Sequence, residues 1–172
     1  QIELPELYAV GAVMLNTDDN KRSTAKNILE QELSAQGLDV LGWREVPTDD
    51  NCLGPIAIES LPAFEQVFVG PGDITDEKHF AARLFMGRRK AENRLGDDNR
   101  FHIASLGINI LSYKGLMMPV DLPGFYLDLA DQRLETAICV FHQRFSTNTM
   151  PQWPLSQPFR MLAHNGEINT IM

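Results

Sequence analysis

Two clusters of polar residues, each at the end of an apolar run, hold the side chains best suited to chemistry. In residues 161–170, Met161, Leu162 and Ala163 read as the end of a buried strand, and His164, Asn165, Gly166 and Glu167 follow at once. The Asn165 amide can donate two hydrogen bonds, and Gly166 lets its backbone N–H approach a ligand with no Cβ in the way. Side by side they would form an oxyanion hole, two fixed donors aimed at an oxygen that gains charge during acyl transfer. Asn-Gly is equally a favoured two-residue hairpin turn, and the pair alone does not separate these readings.

The second cluster is His142, Gln143, Arg144, Phe145, Ser146, Thr147, Asn148 and Thr149, which follows the apolar residues Ala137, Ile138, Cys139, Val140 and Phe141. Arg144 offers a planar fork suited to a carboxylate, and Ser146, Thr147 and Thr149 can satisfy the remaining acceptors. A solvated arginine, or one paired with an acid, is the alternative at such a strand end. Two tips of this kind, one suited to a carboxylate and one to an oxyanion, point to a substrate with a free carboxylate and a carbonyl under attack.

Strands and a packing layer must position those tips. Residues 8–15 read as a buried strand. Residues 21–35 have helical spacing, with Ile28, Leu29 and Leu33 on one side and Gly37 as a stop. A second strand over 39–46 is closed by Pro47, residues 53–61 form a brief helix, and 66–69 form a third strand. Residues 76–95 give a helix with Phe80, Leu84, Met86 and Leu95 on its apolar side and Arg83, Arg88, Arg89, Lys90 and Arg94 on a basic, solvated side. A fourth strand spans 101–105, so residues 8–105 follow the split βαβ order.

Beyond residue 105 the pattern changes. A strand is expected over 108–116, a break at 119–123, a short helical turn over 125–131 and another strand at 137–141 that contains Cys139. Residues 150–158 include Pro151, Trp153, Pro154 and Pro158, a stiff stretch expected to pack as an ordered loop near the cleft. The expected class is α+β: an α/β portion at 8–105 and a portion at 106–172 whose strands carry the site.

Composition narrows the function. The 172 residues suffice for one domain with a sizeable core. With 15 Lys and Arg against 23 Asp and Glu, the net charge is -8, which argues against a nucleic-acid surface. No apolar run approaches the length of a membrane span, and nothing at the start has the features of a signal peptide. Cys52 and Cys139 show no metal-binding spacing, which fits a reducing, cytoplasmic compartment.

Residues 142–149 and 162–170 together closely resemble the glutaminase domain of glutamate synthases, class II glutamine amidotransferases of the N-terminal-nucleophile hydrolase superfamily. The resemblance extends through residues 151–160, 113–116, 125–129 and 40–47 with Leu53 and Gly54, and so covers nearly the whole chain. It implies an αββα sandwich, of which this chain would form part. It also implies hydrolysis of glutamine by a cysteine at the mature N-terminus whose α-amino group acts as base. On this resemblance Arg144 binds the glutamine α-carboxylate with Ser146, Thr147 and Thr149 as supporting donors. Asn165 and Gly166 form the oxyanion hole, and Glu167 lies close to the α-amino group. His142 and His164 are expected to be structural.

The sequence departs from the family at its first residue, Gln1, and neither cysteine is a chain terminus. The chain is therefore expected to be an internal fragment of a larger subunit and inactive as a glutaminase by itself. The resemblance further implies transfer of ammonia to 2-oxoglutarate elsewhere in that subunit, with FMN and an iron-sulfur cluster there. Electrons would come from a smaller NADPH-oxidising subunit or from ferredoxin. No cofactor or metal is expected in this chain. The alternatives are a non-catalytic module that binds an amino acid or a partner, and a different class II amidotransferase.

Overall fold

The stretch Ala9, Val10, Gly11, Ala12 and Val13 carries no charge, as suits a strand flanked on both edges, and β1 (Ala9–Leu15) lies between β3 (Ala63–Gly70) and β4 (His102–Gly107). The computed structural model describes residues 2–142 and 150–156. They divide into two compact units, the first from residues 2–45 and 62–113, the second from 46–61, 114–142 and 150–156.

The first unit is a four-stranded antiparallel sheet in the order β2-β3-β1-β4, with β2 at Asp39–Glu45. Two helices, α1 (Asp19–Ser34) and α3 (Glu77–Arg94), complete the strand, helix, strand, strand, helix, strand order read from periodicity. Each helix starts where a cap is available. The Asp18 side chain accepts from the N–H groups of Asn20 and Lys21, and that of Asp76 from His79 N–H at 2.7 Å. The first helix stops at Gly37, whose φ of 77° lets the Leu38 N–H return to Leu33 O at 3.3 Å.

Alternate residues of the strands meet the helices. Ala9, Val13, Leu15, Val67, Val69 and Ile103 join Ala25, Leu29, Leu33, Phe80, Leu84 and Ala91 in one core. Each fully buried Leu or Phe there contributes roughly 1.5–3 kcal/mol. Polar groups tie α1 to the sheet at the edge of this core. Lys26 Nζ lies 2.6 Å from Glu65 Oε2 and 4.6 Å from the centroid of the Trp43 ring, and Trp43 Nε1 donates to Glu30 Oε1 at 2.6 Å. Buried Gln66 accepts from Arg44 Nη1 at 2.7 Å and donates to the Tyr113 hydroxyl at 3.4 Å.

The second unit is built differently. Its described elements are short: α2 (Pro55–Glu59), α4 (Leu122–Phe125) and single 3-10 turns. They surround a small core of Val46, Leu53, Ala57, Phe125, Tyr126 and Trp153. The backbone is joined by an isolated antiparallel bridge between Thr48 and Tyr126, by Asp49 N–H to Phe125 O at 2.9 Å and by Leu127 N–H to Pro47 O at 3.1 Å.

Three expectations are corrected. Residues 137–141 are not a strand: Ile138, Val140 and Phe141 are each nearly four-fifths exposed, and Cys139 is exposed with them. An apolar run becomes a strand only where a partner supplies its ladder bonds, and none does so among the described residues. Residues 108–116 are likewise irregular, and the Ser112 N–H is taken by the side-chain oxygen of Ser105 at 3.0 Å. Met86 is 45 % exposed, because the buried face of α3 runs through Phe80, Leu84, Gly87 and Ala91.

Helix α3 crosses α1 at Gly87, where a Cβ would sit 2.9 Å from Leu33 Cδ2 and 3.2 Å from Glu32 O. In an open helix Gly→Ala gains about 0.5–1 kcal/mol, but overpacking a fitted contact costs roughly 1–3 kcal/mol. Here the close approach is to backbone as well as to a side chain, so the cost outweighs the gain. Gly87→Ala should lower stability by about 1 kcal/mol or more in urea unfolding; a raised midpoint would show that the two helices separate freely.

Candidate functional site and the segment between the two motifs

Arg144, Ser146, Thr147 and Thr149 of the first motif, and His164, Asn165, Gly166 and Glu167 of the second, lie outside the described residues. His142 is described and exposed. Between the motifs the chain passes through residues 150–156, which are described.

That connector is anchored at successive residues. Trp153 opens a 3-10 turn (Trp153–Leu155) in which the ring of Pro154 presets φ. The Trp153 indole is 2 % exposed, donates to Ala57 O at 3.2 Å and packs against Phe125 with ring centroids 5.8 Å apart. Phe125 meets Tyr126 edge to face at 4.7 Å. The buried Tyr126 hydroxyl donates to Lys114 O at 2.6 Å, and Lys114 Nζ donates to Pro154 O at 3.1 Å. Ser156 Oγ completes the attachment to Gly115 O at 3.5 Å.

Sequence reasoning placed Trp153 and its prolines in an ordered loop but assigned no task to Lys114 or Tyr126. The available signal was a lysine between Tyr113 and Gly115 in a stretch otherwise poor in charge. A lysine stem is long enough to be buried while its ammonium finds an acceptor, and periodicity does not mark such a residue.

Both cysteines are exposed and unpaired. Cys52 ends the 3-10 turn Asp50–Cys52, with Sγ 3.7 Å from Asp49 O and 4.0 Å from Asp121 O. Local desolvation first, and then the negative charge of Asp121, push its thiol above the usual range, with Asp49 and Asp50 adding to the rise. A nucleophilic cysteine needs the opposite shift or a nearby base. Among the described residues no cluster of three or more His, Cys, Asp or Glu side chains could hold a metal ion, and no helix is long and apolar enough to cross a membrane.

The sequence profile of the family described as glutamine amidotransferases class-II matches residues 1–172. The chain belongs to that family. Among curated proteins it is 41 % identical over 166 residues to the glutamate synthase [NADPH] large chain of Azospirillum brasilense, covering 95 % of this chain and 11 % of the relative. It is 39 % identical over 168 residues to ferredoxin-dependent glutamate synthase 2 of Synechocystis sp., covering 95 % of this chain and 10 % of that protein. The glutamate synthase [NADPH] large chain of Bacillus subtilis is 38 % identical over 174 residues, covering 99 % of this chain and 11 % of its own length. The chain thus spans about a tenth of the length of the curated relatives it matches. A mixed α/β class with an antiparallel sheet accords with the expected α+β fold class.

The environment of Cys52 sets an expectation for alkylation. Because its folded pKa is raised, its thiolate fraction at neutral pH is below that of an ordinary thiol, and its rate with iodoacetamide should keep rising into the alkaline range. Mass spectrometry of the labelled peptides at pH 7 and pH 9 measures this. Faster labelling of Cys52 than of a free thiol at pH 7 would contradict the assigned environment.

Proposed function

We propose that this chain supplies the glutamine-binding part of a glutaminase domain that works within a glutamate synthase large subunit. The reading is carried by one observation: the two polar motifs, Arg144 with its hydroxyls and Asn165-Gly166 with Glu167, lie within a single class II amidotransferase match that runs from residue 1 to residue 172. The curated relatives with similar sequence are named glutamate synthases, which favours this assignment over other class II amidotransferases.

In this reading the substrate is glutamine, gripped at its α-carboxylate by the Arg144 fork with Ser146, Thr147 and Thr149 beside it, and near its α-amino group by Glu167. A cysteine thiolate attacks the side-chain amide carbon, and negative charge builds on the amide oxygen. Asn165 Nδ2 and the Gly166 N–H stabilise that charge. The C–N bond breaks and ammonia leaves with the nucleophile's proton. Water then cleaves the thioester, releasing glutamate and the thiol. Cys52, in an acidic turn that raises its pKa, and Cys139, exposed in irregular chain, have no place in this step.

The same reading places the chain in the outer layers and strands of an αββα sandwich. It places the ammonia-consuming reaction with 2-oxoglutarate, and its FMN and iron-sulfur cluster, in other domains of the subunit. Iron-sulfur clusters are held by sets of cysteine thiolates, and the two cysteines of this chain do not make such a set. A smaller NADPH-oxidising subunit, or ferredoxin, would deliver electrons, and the compartment would be the cytoplasm.

In the full-length enzyme, Asn165→Ala should lower glutamine-dependent turnover by about a hundred- to a thousand-fold and leave ammonia-dependent synthesis in place. Equal loss of both activities would instead mark misfolding and remove support for the oxyanion role. Arg144→Lys should raise the glutamine KM steeply, since an ammonium lacks the two-pronged geometry; a parental KM would reject carboxylate binding at this position. Cys52→Ser and Cys139→Ser should each retain glutamine hydrolysis, and its abolition by either would reassign the nucleophile.

A further inference from the structure

We propose that Lys114 is a positioning residue for the glutamine site, holding the connector between the two motifs through the Pro154 carbonyl. The inference rests on the glutaminase reading above and adds to it a residue outside both motifs.

Lys114 is 4 % exposed, an unusual state for a lysine, whose ammonium ordinarily stays in water. Its Nζ donates to Pro154 O at 3.1 Å. Pro154 has no N–H to offer and a fixed φ, so its carbonyl is a stiff handle on the chain. The contact does not act alone. Trp153, just before it, is tied to Ala57 O, and Ser156, just after it, to Gly115 O. The backbone of Lys114 is itself tied to the aromatic core through the Tyr126 hydroxyl. The connector is thus held at Trp153, Pro154 and Ser156, with Lys114 linking its middle to the unit's core.

Chain connectivity turns this into a statement about the site. Thr149 and Gln157 flank the described connector, so where residues 150–156 are held determines where the chain leaves the first motif and where it starts towards the second. In glutamine binding, Arg144 and the Asn165-Gly166 pair must grip opposite ends of one small molecule. An error of about 1 Å in their separation can cost two orders of magnitude in rate.

A merely structural role for Lys114 predicts something different. Lys114→Met leaves the Pro154 carbonyl without this donor, at a cost of about 1–3 kcal/mol, so a structural role alone predicts lowered stability with both activities falling together. The glutamine reaction separates the two. In the full-length enzyme, Lys114→Met should raise the glutamine KM by about tenfold or more and keep ammonia-dependent synthesis near the parental rate, both measured at a temperature where circular dichroism shows the variant folded. Lys114→Arg, which retains a donor, should recover part of the loss of glutamine affinity. Parental glutamine kinetics in Lys114→Met would overturn the proposal, as would a proportional loss of both activities, which assigns the lysine to general stability. If the parent enzyme itself lacks glutamine-dependent activity, the glutaminase reading fails first and this inference falls with it.

Discussion

The Tyr126 hydroxyl, 2.6 Å from the Lys114 carbonyl, is the contact on which the second unit depends. Tyrosine at 2 % exposure must find an acceptor for its O–H, because leaving that donor unpaired costs about 1–3 kcal/mol. Satisfying it fixes the backbone at Lys114, and the side chain of the same residue then reaches Pro154. One residue is used twice, its carbonyl by the aromatic core and its ammonium by the connector. Removing the tyrosine oxygen would therefore loosen more than one hydrogen bond.

The two units obtain order by different physics. In the first, strands of six to eight residues pair in a long antiparallel ladder, and two capped helices cover one face. Many weak terms, each regular, add there. In the second, α2 and α4 are five and four residues long, too short to be stable alone. Their order derives from Phe125, Tyr126 and Trp153 packing together, and from side chains that take up backbone groups no ladder satisfies. Such a unit is sensitive to single residues, and that is why a lysine or a tryptophan can matter there as much as a strand does in its neighbour.

This difference decides what was legible in the sequence. Helices α1 and α3 could be read because Leu29 and Leu33, and Phe80 and Leu84, recur at helical spacing, whereas the caps at Asp18 and Asp76 emerged only from the structure. The order of elements along the chain followed from short apolar runs on either side of those helices, although the run at β2 also carries Asp39, Arg44 and Glu45. Residues 137–141 misled because Ile138, Val140 and Phe141 have strand composition, and composition does not supply a pairing partner. Met86 misled because the buried stripe turns through Gly87 and Ala91, and at Gly87 the close approach of α1 leaves no room for a side chain, which hydrophobicity alone does not weigh. The clasp at Lys114 was invisible to periodicity, since it depends on a single long side chain meeting a carbonyl far along the chain. For the motifs themselves, Arg144 and Asn165-Gly166 were singled out by residue type, and they lie outside the described residues.

On the proposed reading, the types of residue in the motifs also determine how the site would respond to pH. Arg144 keeps its charge at every working pH, and the Asn165 amide, the Gly166 N–H and the hydroxyls of Ser146, Thr147 and Thr149 do not titrate there. Of the assigned groups, Glu167 is the one carboxylate. Among the described residues, Asp131 is held at about 2, chiefly by the side-chain hydrogen bond from Arg133, so its carboxylate stays charged through the ordinary carboxylate range and is neutralised only as pH falls towards that value. The Cys52 thiol moves the other way, away from reactivity. A glutaminase working near neutrality would then owe its pH profile to the nucleophile and its base, whereas the residues assigned here would present the same donors and the same charge throughout that range. A preorganised grip of that kind requires its two halves to be held at a constant separation.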